Sequence, residues 1–355
     1  MELFVLDKSF QTVAIIDEFE SLIWTDRYRE CGDFELYVSA NTDILSTVQV
    51  DYYLTCKESE HMMIVEGVKI DTDVESGNHI TISGRSLESI LDRRIIWPQT
   101  NLTGTLSDGL QTLINNAIIS PSDTSRQISN FKYITPSEDI FTSTTLDKQY
   151  TGDNLYDTIC CLCEEYDFGF KITLNSSNEF EFLAYKGIDR SYEQSNRPYV
   201  IFSPGYENII NTSYTEDKST LKNVTVVAGE DQGASRKYTT VTQSDTDVTG
   251  LNRREVFTDA RDISSDTDEG TLSDTQYTSL LTSRGESSLA ENIETKDFTG
   301  QVEATRMFKY KEDFLIGDIV QIVNEYGIEG QAYITEIITS QDSNGISQYP
   351  TFEML

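Results

Sequence analysis

The sequence predicts a β-rich α+β protein, and three observations carry that prediction. Short apolar runs separated by polar turns fill residues 1 to 95. Two helical stripes interrupt that texture between about 100 and 200. Strand-like runs then return and continue to the C-terminus.

In the first region, "ELFVLD" and "TVAIID" flank a turn at Lys8, Ser9 and Phe10 and predict an opening hairpin. "FELYV" follows, with Phe34, Leu36 and Val38 on one face, then "VDYYLTC", "MMIVEGVKID" and "HITISG". Such short strands predict a small barrel or sandwich. Leu87, Ile90 and Leu91 in "RSLESILDRRII" have helical spacing. In the middle region Leu106, Leu110, Leu113, Ile114 and Ala117 define one helical face. Leu155, Ile159, Leu162 and Tyr166 define another, with Asp153 as its expected cap. "FGFKITL" and "EFEFLAY" predict a hairpin across residues 175–178, so this region reads as an α/β insertion. The last region contains "YVIFS", "KNVTVVAG", "RKYTTVTQ", "GQVEATRMFKY", "GDIVQIVN", "EGQAYITEII" and "YPTFEML". Between these strands, residues 258–297 are acidic, rich in Ser and Thr, and contain one expected helix.

Composition narrows the function. The chain has 355 residues, 60 acidic against 27 basic, for a formal net charge of −33. That field opposes the phosphate contacts on which nucleic-acid binding depends. No apolar run approaches the ~20 residues that cross a bilayer. "MELFVLDKSF" lacks the basic start and long apolar run of a signal peptide, which predicts synthesis in a cytoplasm. Five unevenly spaced cysteines do not form a disulfide framework. Cys160, Cys161 and Cys163 have no second ligand pair, and the helical pattern sets Cys160 and Cys163 beside an apolar stripe, so packing is expected there rather than a metal. The acidic runs "SDTDV" and "SSDTDEGTLSD" lack the residue placement of an EF-hand loop. With His61 and His79 both near turns, no nucleophile–histidine arrangement can be nominated, and no phosphate loop or dinucleotide fingerprint is present. No catalytic residue, metal or cofactor is expected.

One charged stretch is "WTDRYRECGDFELYV", Trp24 to Val38. It resembles the signature near the start of tail-hub proteins of long, non-contractile-tailed phages, the N-terminal structural module of tail-associated lysins. Matches continue in order at "ISGRSLESILDRRII", "GDNLYDTICCLCEEYDFGFKI", "YKGIDRSYEQSNRPYVIFS", "LKNVTVVAGE" and "FLIGDIVQIVNEYGIEGQAYITEI".

The resemblance implies a non-enzymatic virion protein, similar to the hubs of contractile tails and type VI spikes. It implies two β-barrel-like hub domains with an α/β insertion between them. The first barrel would span 1–98 and be completed by strands after 200, the insertion 99–200, and the second barrel 201–355 with an acidic helical insertion near 258–297. It implies a homotrimeric ring at the distal end of a hexameric tail tube, partnered by distal-tail, tail-tube, tape measure and tail-tip, fibre or receptor-binding proteins. DNA would pass through an acidic lumen without specific binding. Trp24, Arg27, Arg29, Glu30, Asp33 and Glu35 would then form a barrel corner or a subunit contact. Lysin members carry a long C-terminal extension, whereas this chain stops at Leu355, which fits either a minimal hub that leaves wall degradation and receptor binding to other proteins or a fragment of a longer protein. Two other functions remain open: a tail-associated peptidoglycan hydrolase, and a host-glycan-binding tail protein that uses some of its 19 tyrosines.

Overall fold

The computed structural model describes residues 1–73, 77–243, 247–267, 270–302 and 307–355. Parts of the expected strand "GQVEATRMFKY" and of the acidic runs "SDTDV" and "SSDTDEGTLSD" lie outside them. The chain divides into two units, each built from separated segments.

The first unit comprises 1–90, 168–215 and 296–355. Its N-terminal strands are β1 (Leu3–Leu6), β2 (Thr12–Ile16), β3 (Ser21–Arg27), β4 (Asp33–Ser39), β5 (Tyr53–Thr55), β6 (Met63–Asp73) and β7 (Gly77–Ser86). They run in the spatial order β3-β4-β7-β6-β5-β1-β2, and every pairing is antiparallel. Burial alternates along β4, so Phe34, Leu36 and Val38 face inward as their spacing predicts. They join Leu3, Val5, Leu22, Trp24 and Ile82 in one hydrophobic cluster. A second cluster forms around Phe202, Phe298, Val320, Ile334 and Phe352.

The two clusters lie on one sheet. Residues 336–342 of the strand Glu329–Asp342 pair with the whole of β3, Glu336 opposite Arg27 and Asp342 opposite Ser21. The sheet continues through Gly345–Met354, Thr295–Val302 and Ile209–Asp217, with Ile201–Phe202 and Ile319–Val323 on a side branch. Among the described residues the strand path is open, from Ile209–Asp217 at one end to β2 at the other. The expected β-rich α+β class is therefore present, with one large sheet that carries two hydrophobic clusters and with no closed barrel among the described residues. The sequence reading missed this because strand pairing across more than 300 residues leaves no local signal.

The second unit comprises 91–167 and 216–295. The helix Leu155–Tyr166 buries Leu155, Ile159 and Leu162 as predicted. Its cap is Asn154 rather than Asp153: the Asn154 side chain accepts from the backbone N–H groups of Tyr156 and Asp157. Asp153 instead accepts from the backbone N–H of Thr151. Strands Tyr238–Thr242, Val224–Ala228 and Glu255–Asp259 form a small mixed sheet. The helix Asp274–Ala290 supplies Tyr277, Leu280, Leu281 and Leu289 to the core that this sheet shares through Val227 and Val241.

These units cut across the boundaries expected at 98 and 200. The hairpin Gly169–Leu174/Phe180–Tyr185 forms where predicted, but it belongs to the first unit. "KNVTVVAG" and "RKYTTVTQ" belong to the second unit and not to the C-terminal strand set.

Candidate functional site

The stretch from Trp24 to Asp33 ends one strand and turns into the next. Its first four residues are the end of β3, and only 28–32 turn the chain toward β4. Trp24 is fully buried in the N-terminal cluster beside Phe34, at 6.0 Å between ring centres. Its indole N–H donates to Asp26 Oδ1 at 3.1 Å. Arg27 sits between two carboxylates, 2.6 Å from Asp33 and 2.7 Å from Glu336, and also donates to the Cys31 carbonyl. Arg29 donates to Glu353 at 2.6 Å and lies over the rings of Tyr28 and Tyr333. Glu30 and Glu35 are exposed. Of the six expected residues, four are thus engaged inside the subunit. Arg27 and Arg29 tie the first strands to the last ones.

Between these arginines stands Tyr28, which the sequence reading passed over. It has no exposure. Its N–H donates to the Thr335 carbonyl, its carbonyl accepts from Phe170 N–H, and its hydroxyl accepts from Gly187 N–H at 3.2 Å. One residue therefore holds the N-terminal sheet, the 169–185 hairpin and the C-terminal strands together. The ring fits because glycines face it. A Cβ at Gly169 would lie 2.2 Å from the ring, and one at Gly317 would lie 2.3 Å from it. Gly317 also adopts φ +88°, which favours glycine. Next to it, the buried Asp318 carboxylate accepts from Ile188 N–H, Arg190 Nε and Leu315 N–H. Asp318 thereby anchors the 186–190 segment.

A second buried cluster surrounds Asp26. Its carboxylate accepts from Trp24, from Ser59 Oγ at 2.6 Å and from the Tyr310 hydroxyl at 3.0 Å. Burial, followed by the nearby Asp26 charge, holds the Tyr310 hydroxyl well above its usual pKa, so it stays a donor. Two residues beyond Ser59, His61 Nδ1 meets Glu88 Oε1 at 3.1 Å, and both side chains are buried. Glu88 Oε1 also accepts from Ile172 N–H at 2.7 Å. Burial works against the imidazolium, but Glu88 and then Asp26 outweigh it, and His61 is pushed up to about 9. Burial likewise opposes the Glu88 carboxylate, and the His61 charge and hydrogen bond bring it below its usual value.

Ser59, His61, Asp26 and Glu88 are the residue types of a hydrolytic site, and the fold does bring them together. Their electrostatics oppose that use. A histidine protonated up to about 9 cannot accept a proton from a nucleophile at neutral pH. Its Nδ1 is also committed to a glutamate that fastens Ile172. Neighbouring Cys56 has its thiol pushed up to about 12, mainly by burial, which removes thiolate chemistry. The arrangement is a polar fastener linking five chain segments.

The second unit has its own fastener. Lys148 Nζ meets Glu165 Oε1 at 2.8 Å and Ser287 Oγ at 2.7 Å, and Ser287 Oγ donates to Glu165 Oε2. It joins the strand Thr145–Tyr150 to the helices Leu155–Tyr166 and Asp274–Ala290. On the same helix Cys163 is fully buried, while Cys161 Sγ donates to Glu291 at 2.9 Å and its thiol pKa is raised, first by burial. All five cysteines are free thiols.

Three solved structures share this architecture over 99% of the chain. A prophage MuSo2 43 kDa tail protein from Shewanella oneidensis superposes with a TM-score of 0.59 at 13% identity, over 98% of its own length. A tail protein from Neisseria meningitidis gives 0.58 at 11% identity over 95%. The prophage tail protein gp18 from Listeria monocytogenes gives 0.55 at 14% identity over 94%. Among curated proteins none matches the sequence. The fold is that of phage tail proteins. Within that class, the chain belongs to the Siphovirus ReqiPepy6 Gp37-like protein family, whose sequence model it matches over residues 2–352.

Proposed function

We propose that this chain is a structural virion protein, the hub of a siphophage tail, which assembles as a trimeric ring on the distal end of the tail tube. Family membership over almost the whole chain supports a tail protein. The observation that carries the hub reading is the single sheet with two hydrophobic clusters, one from the first strands and one from the last. One strand module around each cluster, in three subunits, would provide six positions to meet a six-fold tube. Distal-tail, tube, tape measure and tail-tip or receptor-binding proteins are the partners of such a ring. The acidic excess suits a lumen from which DNA phosphates are repelled.

In this reading Trp24, Arg27, Arg29 and Asp33 act on assembly indirectly. They hold the N-terminal and C-terminal strands in the register that the ring needs. The role is mechanical and not enzymatic.

Light scattering on the purified protein, with particle images after mixing with tail-tube protein, tests the reading. A trimer that forms rings is expected. A monomer at every concentration that never joins a tube overturns it. Clearing of host cell wall in a zymogram by this chain alone would establish the hydrolase alternative instead.

A further inference from the structure

Arg27 and Arg29 are neutralised within the subunit, so the charges that hold copies together lie elsewhere. The second unit offers a candidate. Arg93, Arg94 and Arg126 cluster around an open cavity of about 330 Å³. Among the described residues none of the three is within ion-pair distance of a carboxylate. Arg94 donates to the carbonyls of Arg93 and Arg126, and Arg126 donates to those of Ile95 and Trp97. Arg94 holds its proton less tightly than usual, first through burial and then through the charges of Arg126 and Arg93. Two carboxylates stand near. Asp92 accepts from Asn154 Nδ2, and Asp123 accepts from Ser125 N–H. Beside the guanidinium groups, Ile95 and Trp97 are 50% and 57% exposed. Tryptophan and arginine together are the composition of an interface centre, and such a patch is unusual on a chain with 60 acids and 27 bases.

The first unit carries the complementary surface. An open groove of about 400 Å³ is lined by Ile15, Asp17, Glu18, Phe19, Glu20 and Ile44. Glu20 is occupied by Ser39 and His79, whereas Asp17 and Glu18 are exposed and enter no ion pair among the described residues. Ile15, on the sheet's terminal strand β2, is 55% exposed.

We propose that the Arg93–Arg94–Trp97 patch of one copy docks into the Asp17–Glu18–Phe19 groove of a second copy. The inference rests on the trimeric hub reading and names the surfaces that build it. The contact is heterologous, one surface meeting a different one, which is the type that closes into a ring when its rotation permits. Charge complementarity sets the orientation, and Trp97, Ile95, Phe19 and Ile15 supply the apolar area.

The test measures solution mass for four full-length proteins, with circular dichroism to check folding. Arg93→Glu with Trp97→Ala alters only exposed side chains, and Asp17→Lys with Glu18→Lys alters only the groove. Each pair is expected to weaken self-association by at least ~30-fold, the loss that follows from removing a close interfacial charge pair. Arg93→Glu combined with Asp17→Lys and Glu18→Lys in one chain is expected to restore the trimer. Trimers from every variant overturn the docking surface and leave the hub reading standing. A combined variant that remains dissociated also overturns it. A wild-type monomer at all concentrations overturns the hub and this contact together. Inorganic phosphate or an acidic peptide binding at Arg93 while every variant stays trimeric assigns the patch to another partner and overturns the self-contact.

Discussion

In the first unit a histidine and a glutamate meet at 3.1 Å out of reach of solvent; in the second a lysine and a glutamate meet at 2.8 Å with slight exposure. Both pairs fasten segments far apart in sequence. They differ in what satisfies the remaining polar atoms. Glu88 is bound to a backbone N–H that cannot move away, whereas Glu165 shares a serine hydroxyl that can rotate. The comparison teaches that a buried ion pair here fixes register and connectivity more than it adds net stability. Desolvation of both charges offsets much of their attraction.

The sharpest way to break the comparison is to remove one acid. Glu88→Ala leaves His61 as an uncompensated buried cation and frees Ile172 N–H. A loss of ~3–5 kcal/mol is expected in urea unfolding. Unit-specific readout is available because the chain has two tryptophans. Trp97→Phe leaves Trp24, buried in the first unit, as the reporter. Lys148→Met should cost less, ~2–3 kcal/mol, because Glu165 keeps Ser287 and retains some contact with water. Hydrogen exchange along residues 155–166 and 274–290 would localise that loss to the second unit. A change spread equally over both units would refute the separation.

Titration sharpens the difference further. The pKa of His61 is raised on folding from 6.5 to about 9, so its contribution is complete below 6.5 and disappears as pH rises through about 9. Glu88 is lowered on folding, so its contribution is complete above the usual glutamate value and is lost as pH falls below it. Stability of the first unit, followed through Trp24, should therefore be greatest between about pH 5 and 6.5 and decline toward pH 9.5. In Glu88→Gln the alkaline decline should vanish. The smallest effects belong to the two partly exposed arginines of the first unit. Arg27→Ala and Arg29→Ala should each cost ~1 kcal/mol, Arg29 more because it also loses contact with two tyrosine rings. Thermal melts of the single and double variants would check this, and a double-variant loss far above the sum would reveal coupling through Tyr28.

Elements whose signal is local were legible without a structure. The stripe Leu155–Ile159–Leu162 became a helix, and Phe34–Leu36–Val38 became the inner face of a strand. The opening hairpin turns where Lys8, Ser9 and Phe10 predict, and the ordered motifs pointed to a tail-protein family that the comparison supports. Burial periodicity and turn chemistry act over a few residues, so they can be read directly. The charged stretch after Trp24 stood out, yet its meaning did not. Arg27 finds Glu336, 309 positions away, and Tyr28 finds Gly169 and Gly317. Asp26, His61 and Glu88 carry no local signal because each gains its partner only after distant strands pair. Sequence alone determined the helices with a clear apolar stripe, many of the strands and the family they belong to. Tertiary structure decided which arginines are neutralised inside the subunit and which remain available at its surface, since long-range pairing sets both burial and electrostatic partners.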